Sequence, residues 1–245
     1  MKIVSEVKDA SSKEVASANS RSEIARMGEV DSFSLKELDE LKIINGSMQN
    51  SKILNVFREL RTQLLNTNKK KNFVCMVSSI VQGGGASYVA SNLAAVFALD
   101  KTKTSLLIDA NLYDPSLGKL IIGGAETGIT DYLSDSGLDI KDVVYATGVP
   151  RLRVIPIGQN REAAAEYFSS EKMQDFVKEI RARYSDRYVF IDSPPISDSS
   201  EARILSEVVD VVVLVVGHGS VTNDQIEAAI QIVEKDKLAG LVYNN

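Results

Sequence analysis

Apolar and polar residues follow one another along the chain in blocks that predict strands and helices in turn. Short continuous apolar runs, as expected of strands covered on both faces, occur at 73–77, 104–109, 152–157, 188–192, 209–216 and 240–243. Helical spacing predicts helices over 48–66, 87–99, 173–184, 200–207 and 222–235, with short helical pieces at 130–134 and 140–145. This alternation predicts an α/β fold with a mostly parallel sheet flanked by helices on both faces.

The first part of the chain has a much weaker pattern. Residues 1–45 are rich in Ser, Glu, Lys and Ala, which predicts a flexible N-terminal tail with a short helix around 35–44. The folded domain is therefore predicted to span residues 46–245.

A glycine-rich turn lies between the first predicted strand and its helix. Gly83, Gly84 and Gly85 allow close backbone approach, and Ser87 can begin the helix. A strand, a glycine loop and a helix N-terminus together make a site for anions. The phosphate-loop pattern G-x-x-x-x-G-K-[ST] is incomplete, because Ile80 replaces its first glycine and Ala86 its lysine. The stretch is either a phosphate-binding loop or only a tight strand-to-helix turn.

Two buried strands are predicted to end in an acid. Asp109 ends one of them, and Asp192 ends another, just before Ser193, Pro194 and Pro195. The prolines cannot continue a strand ladder and force a loop. Ligands of open α/β sheets bind at the carboxyl ends of the strands, so both acids are candidate ligand-binding residues; the alternative is that they cap helices.

Composition excludes several other kinds of site. The net charge of −5 gives no support to a nucleic-acid-binding role. The single cysteine, Cys75, excludes a disulfide scaffold and a cysteine-based metal site. The N-terminus has no signal-peptide core, and no apolar run reaches the roughly 18 residues that span a bilayer, so the expected location is the cytoplasm.

Several blocks of the sequence resemble the bacterial tyrosine kinase (BY-kinase) family of exopolysaccharide and capsule export, a branch of the MinD/ParA-like P-loop ATPases. The blocks are Phe57–Thr62, Ser78–Ala94, Leu106–Leu112 with Pro115, Gly128–Leu133, Phe190–Pro195 and Gly240–Asn244. Together they cover roughly residues 45–245 in the family's order. The resemblance implies that 46–245 is a P-loop NTPase-like domain.

The resemblance also implies a set of functional residues. It places ATP or ADP against Gly83, Gly84, Gly85, Ser87 and Asn244, with the asparagine facing the base. Ser87, Asp109 and Asp192 would hold Mg²⁺, and the two acids would serve catalysis.

Contacts outside this pocket follow from the resemblance as well. Arg58 and Arg61 would contact a second subunit of a homo-oligomer, although a solvated charged face is the simpler interpretation. A membrane-bound polysaccharide co-polymerase, or an active BY-kinase, is the implied partner. Such a partner would hold the protein peripherally at the inner membrane.

The departures from the family's pattern point to a damaged catalytic site. Ala86 stands at the lysine position, and Asn111 at the second acid of the second acidic motif. The preferred hypothesis is therefore a non-catalytic or weakly active homologue that regulates or scaffolds exopolysaccharide assembly. The alternative is an active kinase or ATPase with a relocated cation, such as Lys119. A MinD/ParA-like positioning ATPase is the third hypothesis.

Overall fold

A seven-stranded sheet forms the centre of the protein in a computed structural model that describes residues 32–48, 51–68, 72–183 and 186–245. The strands are β1 Val74–Ser79, β2 Thr104–Asp109, β3 Tyr145–Ala146, β4 Leu152–Ile155, β5 Arg187–Asp192, β6 Val211–Gly217 and β7 Leu238–Asn244. The helices are α1 Leu35–Glu40, α2 Lys52–Thr67, α3 Ala86–Ala98, α4 Ile129–Ser134, α5 Ile140–Val143, α6 Ala164–Ser169, α7 Glu171–Arg183, α8 Ser200–Val208 and α9 Asn223–Ile232, with a 3₁₀ helix at Leu117–Leu120.

The sheet runs in the order β3-β4-β2-β5-β1-β6-β7. All neighbouring strands are parallel except the β3–β4 pair. In the register between β2 and β5, Asp109 pairs with Asp192, so the two acids end adjacent strands at the same edge of the sheet. The predicted α/β fold with a mostly parallel sheet is confirmed.

Side chains alternate along β1, an inner strand of the sheet, and so contribute to two cores, one on each face. Cys75 and Val77 point into the core that contains α1, α2 and α3. Val74 and Met76 point into the core that contains α4 to α9. Helices therefore cover both faces, which explains why the strands read as continuous apolar runs.

Three small elements were not predicted from the sequence: β3, α6 and the 3₁₀ helix. Each has six residues or fewer, and none of the three shows a clear apolar period in the sequence. The predicted piece at 140–145 ends as a helix at Val143, and Tyr145 belongs to β3. The largest boundary differences are at α2, which begins at Lys52 rather than 48, at α1, which ends at Glu40 rather than 44, and at α9, which ends at Ile232 rather than 235.

The segment before α2 packs on the domain, so the boundary predicted at residue 46 lies too late in the chain. Ser34 and Glu37 form a capping box at α1. Leu38, Ile43 and Ile44 are buried in the core beside α3. Ile43 and Ile44 lie in irregular backbone, which is why no helical period marked them. The rest of the predicted tail, residues 1–31, lies outside the described residues.

Asn92 of α3 holds this segment in place. Its Oδ1 accepts from the Ile44 N–H at 2.7 Å, and its Nδ2 donates to the carbonyls of Lys42 and Tyr88, each at 3.0 Å. Asn92 is fully buried. One side chain thus joins the N-terminal segment to the first turns of α3.

Asn92→Ala is expected to lower the free energy of unfolding by about 1–3 kcal/mol, because it leaves the buried Ile44 N–H without its acceptor. Urea unfolding measures the loss, and hydrogen exchange should show faster exchange at Ile44. Asn55→Ala, at an exposed position of α2, is the control. Unchanged exchange at Ile44 would show that Asn92 does not hold the segment.

Within the described ranges, no helix combines the length and apolar character needed to cross a membrane.

Candidate functional site

The glycine loop connects β1 to α3 at the carboxyl edge of the sheet. Gly83 and Gly85 have φ of 77° and 90°, the left-handed region that favours glycine. Gly85 is the N-cap of α3 and supplies no side-chain hydrogen bond to it. The first N–H groups of α3 thus lack a side-chain cap, and the helix dipole adds positive potential at this end.

The loop has no room for side chains at two of its glycines. A Cβ at Gly84 would lie 2.8 Å from the Ser79 Cβ, and one at Gly85 would lie 2.1 Å from the Asn244 Nδ2. That Nδ2 donates to the Gly84 carbonyl at 3.2 Å. Asn244, at the end of β7, therefore lies directly against the loop.

The two acids at the sheet edge differ in their surroundings. Asp109 accepts backbone N–H bonds from Asn111, Ser116 and Leu117 at 3.1–3.2 Å and so organises the loop that follows β2. Burial raises its pKa to about 6, against the lowering effect of those three bonds and of the Arg161 charge. Leu117 is the first residue of the 3₁₀ helix, and its N–H donates to Oδ2 of Asp109. This oxygen therefore caps a helix, as the alternative interpretation of the acid states.

Asp192 is buried with both carboxylate oxygens lacking a hydrogen bond of acceptable geometry among the described residues. Burial raises its pKa well above the usual value, and the negative charge of Asp109 raises it further. The nearby Ser87 hydroxyl favours the charged form, although its position falls outside hydrogen-bond geometry. Two buried carboxylate oxygens without a hydrogen-bond donor are suited to bind a cation.

A cavity of about 620 Å³ lies beside the start of α3. Its walls come from α3, from the N-terminal segment, from the end of β7 and from the 3₁₀ helix; they include Lys42, Ile43, Ile44, Met48, Ile53, Ser87, Tyr88, Ser91, Lys119 and Asn244. The lining combines apolar side chains with hydroxyl, amide and ammonium groups. This mixture suits a ligand with an organic body and an anionic end.

The oxygen atoms at this edge fit Mg²⁺. Magnesium is usually held by one or two carboxylates together with water and phosphate oxygens. Such a set would come from the carboxylate of Asp192, the hydroxyl of Ser87 and the lone pairs of Asp109 that its three N–H donors leave free. No group of three or more His, Cys, Asp or Glu side chains that could hold a metal occurs in the described ranges, so phosphate and water would have to complete the shell.

Ala86 is the first residue of α3 and is 6% exposed. The loop therefore has no positive charge at the position where the phosphate-loop pattern has its lysine. Asn111 accepts from the Asp114 N–H at 3.3 Å and holds the turn after β2. The charge that an acid at position 111 would carry is also absent.

The two arginines of α2 differ from each other. Arg61 Nη1 donates to the Val96 carbonyl near the end of α3 at 3.1 Å, so this side chain serves a contact within the chain. Arg58 is exposed. Their role in an oligomer remains a prediction.

Sequence reasoning missed the N-terminal segment as a wall of the cavity. It also missed the pairing of Tyr88 with Phe57, whose rings meet edge to face at 6.0 Å. The adjacent apolar residues Ile43 and Ile44, followed by Asn45 and Gly46, were the available signal that this segment is not a polar tail.

Comparison with known proteins identifies relatives with this arrangement. The tyrosine-protein kinase CpsD of Streptococcus agalactiae is 30% identical over 214 residues, which cover 84% of this chain and 90% of CpsD. The kinase domain of the Escherichia coli tyrosine kinase ETK superposes with a TM-score of 0.75 at 23% identity, covering 89% of this chain and 82% of that domain.

The wider fold group appears as well, because the cell-division ATPase MinD of Pyrococcus furiosus superposes with a TM-score of 0.56 at 20% identity, covering 69% of this chain and 70% of MinD. No protein-family model matches the chain. The architecture is that of the MinD/ParA-like P-loop ATPases, and the identity and coverage with CpsD show that the chain belongs to the bacterial tyrosine kinase family.

Proposed function

We propose that this protein regulates or scaffolds exopolysaccharide or capsule assembly as a kinase homologue with little or no phosphoryl transfer of its own. Its partner would be a membrane-bound polysaccharide co-polymerase or an active kinase of the same family. The observation that carries the proposal is Ala86 at the first position of α3, in a loop that otherwise keeps its shape.

The physical argument concerns charge. In phosphoryl transfer the protein mainly positions phosphates and neutralises the charge that develops on them. Here the glycine loop and the free N–H groups of α3 remain to bind a phosphate. Ala86 supplies no cation to it, and Asn111 supplies no second acid to the metal side. We therefore expect the site to retain nucleotide binding better than phosphoryl transfer.

The roles of the remaining residues follow from their positions. The loop N–H groups would hold the phosphates, and Asn244 would lie near the base. Ser87, Asp109 and Asp192 would hold Mg²⁺, which neutralises phosphate charge when it is bound. The unpaired oxygens of Asp192 support this assignment.

The proposal is tested by pairing a cellular and a chemical readout. Deletion of the gene should change polymer amount or chain length, and purified protein with Mg²⁺ and ATP should acquire no phosphotyrosine. Unchanged polymer after deletion would contradict a role in assembly. Phosphotyrosine that disappears in Asp192→Asn would instead establish the second candidate function, an active tyrosine autokinase.

That second candidate is favoured by one observation. Ser87, Asp109 and Asp192 stand together at the sheet edge, and a lysine from another element, Lys119, lines the same cavity as Ser87. An active enzyme would need that lysine, or a cation from another subunit, to act on the phosphates during turnover.

A further inference from the structure

The phosphate loop has an unbalanced charge. Asp109 and Asp192 lie side by side at the sheet edge, and Asp114 adds to the negative potential at Asp192. A nucleotide would bring further negative charge to this place, while Ala86 brings none. The helix N-terminus, a metal ion and Arg161, whose charge acts on Asp109, would oppose this charge, but none of them replaces the lysine of the loop.

Lys119 is placed to do this. It lies in the last turn of the 3₁₀ helix, is exposed, and lines the cavity together with Ser87 and Asn244. The 3₁₀ helix itself is fixed to the sheet edge, because Asp109 accepts from the backbone of Ser116 and Leu117. The Lys119 charge also lowers the pKa of Asp192, which supports its proximity to the acids.

A second lysine of the cavity fits this role less well. Lys42 lies on the N-terminal segment, where an acid, Asp39, also lines the cavity. Its backbone has a φ of 56° and is held by Asn92. Lys119 lines the cavity from the element that Asp109 anchors.

We propose that Lys119 supplies the positive charge that the phosphate loop lacks, by facing the β- and γ-phosphates of a nucleoside triphosphate bound beside Ser87. This inference rests on the proposed function only in taking the ligand to be a nucleotide. It assigns to Lys119 the selectivity of the site for polyphosphates over monophosphates.

The test is equilibrium binding of ATP, ADP and AMP, each with Mg²⁺, followed by calorimetry. Lys119→Met should weaken ATP binding about 10- to 100-fold, the effect of losing one charge-assisted contact. AMP binding should change less than about twofold, because AMP has no phosphate in reach of the lysine. Lys119→Arg should keep most of the ATP affinity.

Matched variants separate this local contact from a general change of charge. Lys101→Met removes the same charge from an exposed turn just before β2, at the amino ends of the parallel strands and so away from the glycine loop. It should leave ATP binding unchanged. In an Ala86→Lys background, Lys119→Met should cost much less than in the wild type, since the loop then has its own cation.

Three results would overturn the inference. The first is equal weakening of ATP and AMP by Lys119→Met. The second is a larger loss with Lys42→Met than with Lys119→Met. The third is a wild type that binds no ATP while Ala86→Lys does. The proposed function fails on different results, namely phosphotyrosine formation or unchanged polymer, so the two can be told apart.

Discussion

Replacing Ala86 with lysine is expected to raise ATP affinity about tenfold or more, and phosphate release about 10²–10³-fold, because the loop gains a cation beside the phosphates. The effect on turnover exceeds that on binding because charge on the phosphates grows towards the transition state. Calorimetry with ATP and Mg²⁺ measures the first quantity, and steady-state phosphate release measures the second.

Ala86→Met is the control, since it extends a side chain of similar length from the first position of α3 without a charge. It should give neither gain, and any loss of stability that it shares with Ala86→Lys reports crowding at this buried position. Equal behaviour of the two variants, or no gain in turnover with lysine, would mean that the missing charge does not limit the site.

Asp192→Asn is expected to stabilise the protein in the absence of nucleotide and metal. The wild type buries an unpaired carboxyl against Asp109, and an amide of the same shape relieves both the desolvation and the repulsion. Stability gains at such sites are about 0.5–2 kcal/mol. Each kcal/mol corresponds to about 2–4 °C in Tm for a chain of this size.

The gain should depend on pH in a defined direction. The pKa of Asp192 is raised in the folded state, so the folded protein keeps a proton that the unfolded chain releases above about pH 4. The wild type therefore loses stability relative to Asp192→Asn as the pH rises from about 4. The pKa of Asp109 is also raised in the folded state, to about 6. Deprotonation of Asp109 therefore lowers the free energy of unfolding of both proteins as the pH rises from about 4 to 6.

Thermal unfolding from pH 4 to 8 measures this dependence. Asp198→Asn, at an exposed position in the loop after β5, is the matched control and should change Tm by little at any pH. Mg²⁺ with ATP should stabilise the wild type more than Asp192→Asn, because the carboxylate then has a partner. A lower Tm for Asp192→Asn at pH 8 would show that this carboxyl contributes to folding rather than to ligand binding.

The sheet was predictable because its strands are unambiguous in the sequence. The run at 104–109 coincides with β2, and the central strands are buried on both faces, so no alternation had to be interpreted. The N-terminal segment was not predictable in the same way. Its buried residues, Ile43 and Ile44, are fixed by Asn92, a partner 48 or more residues away that no local period reveals.

The candidate site was predictable as a set of residues but not as a set of roles. The glycine loop and the ends of β2 and β5 were visible in the sequence as places where a ligand would bind. Asp109 accepts hydrogen bonds from the loop that follows β2, whereas the oxygens of Asp192 accept none among the described residues. This difference depends on the path of the chain from 111 to 117, which the sequence does not reveal. Likewise, the approach of Lys119 follows from where that loop ends in a 3₁₀ helix.

The crowding around Gly84 and Gly85 has a consequence for how such motifs are interpreted in other genomes. A Cβ at Gly84 would clash with Ser79 of the same chain, and a Cβ at Gly85 would meet the Asn244 amide in a backbone with a φ of 90°. Purifying selection for folding alone would keep both glycines after selection for catalysis had been relaxed. Position 86 is not restricted to glycine by its surroundings. The residue at this position therefore says more than the glycines do about whether a lineage has continued to transfer phosphate.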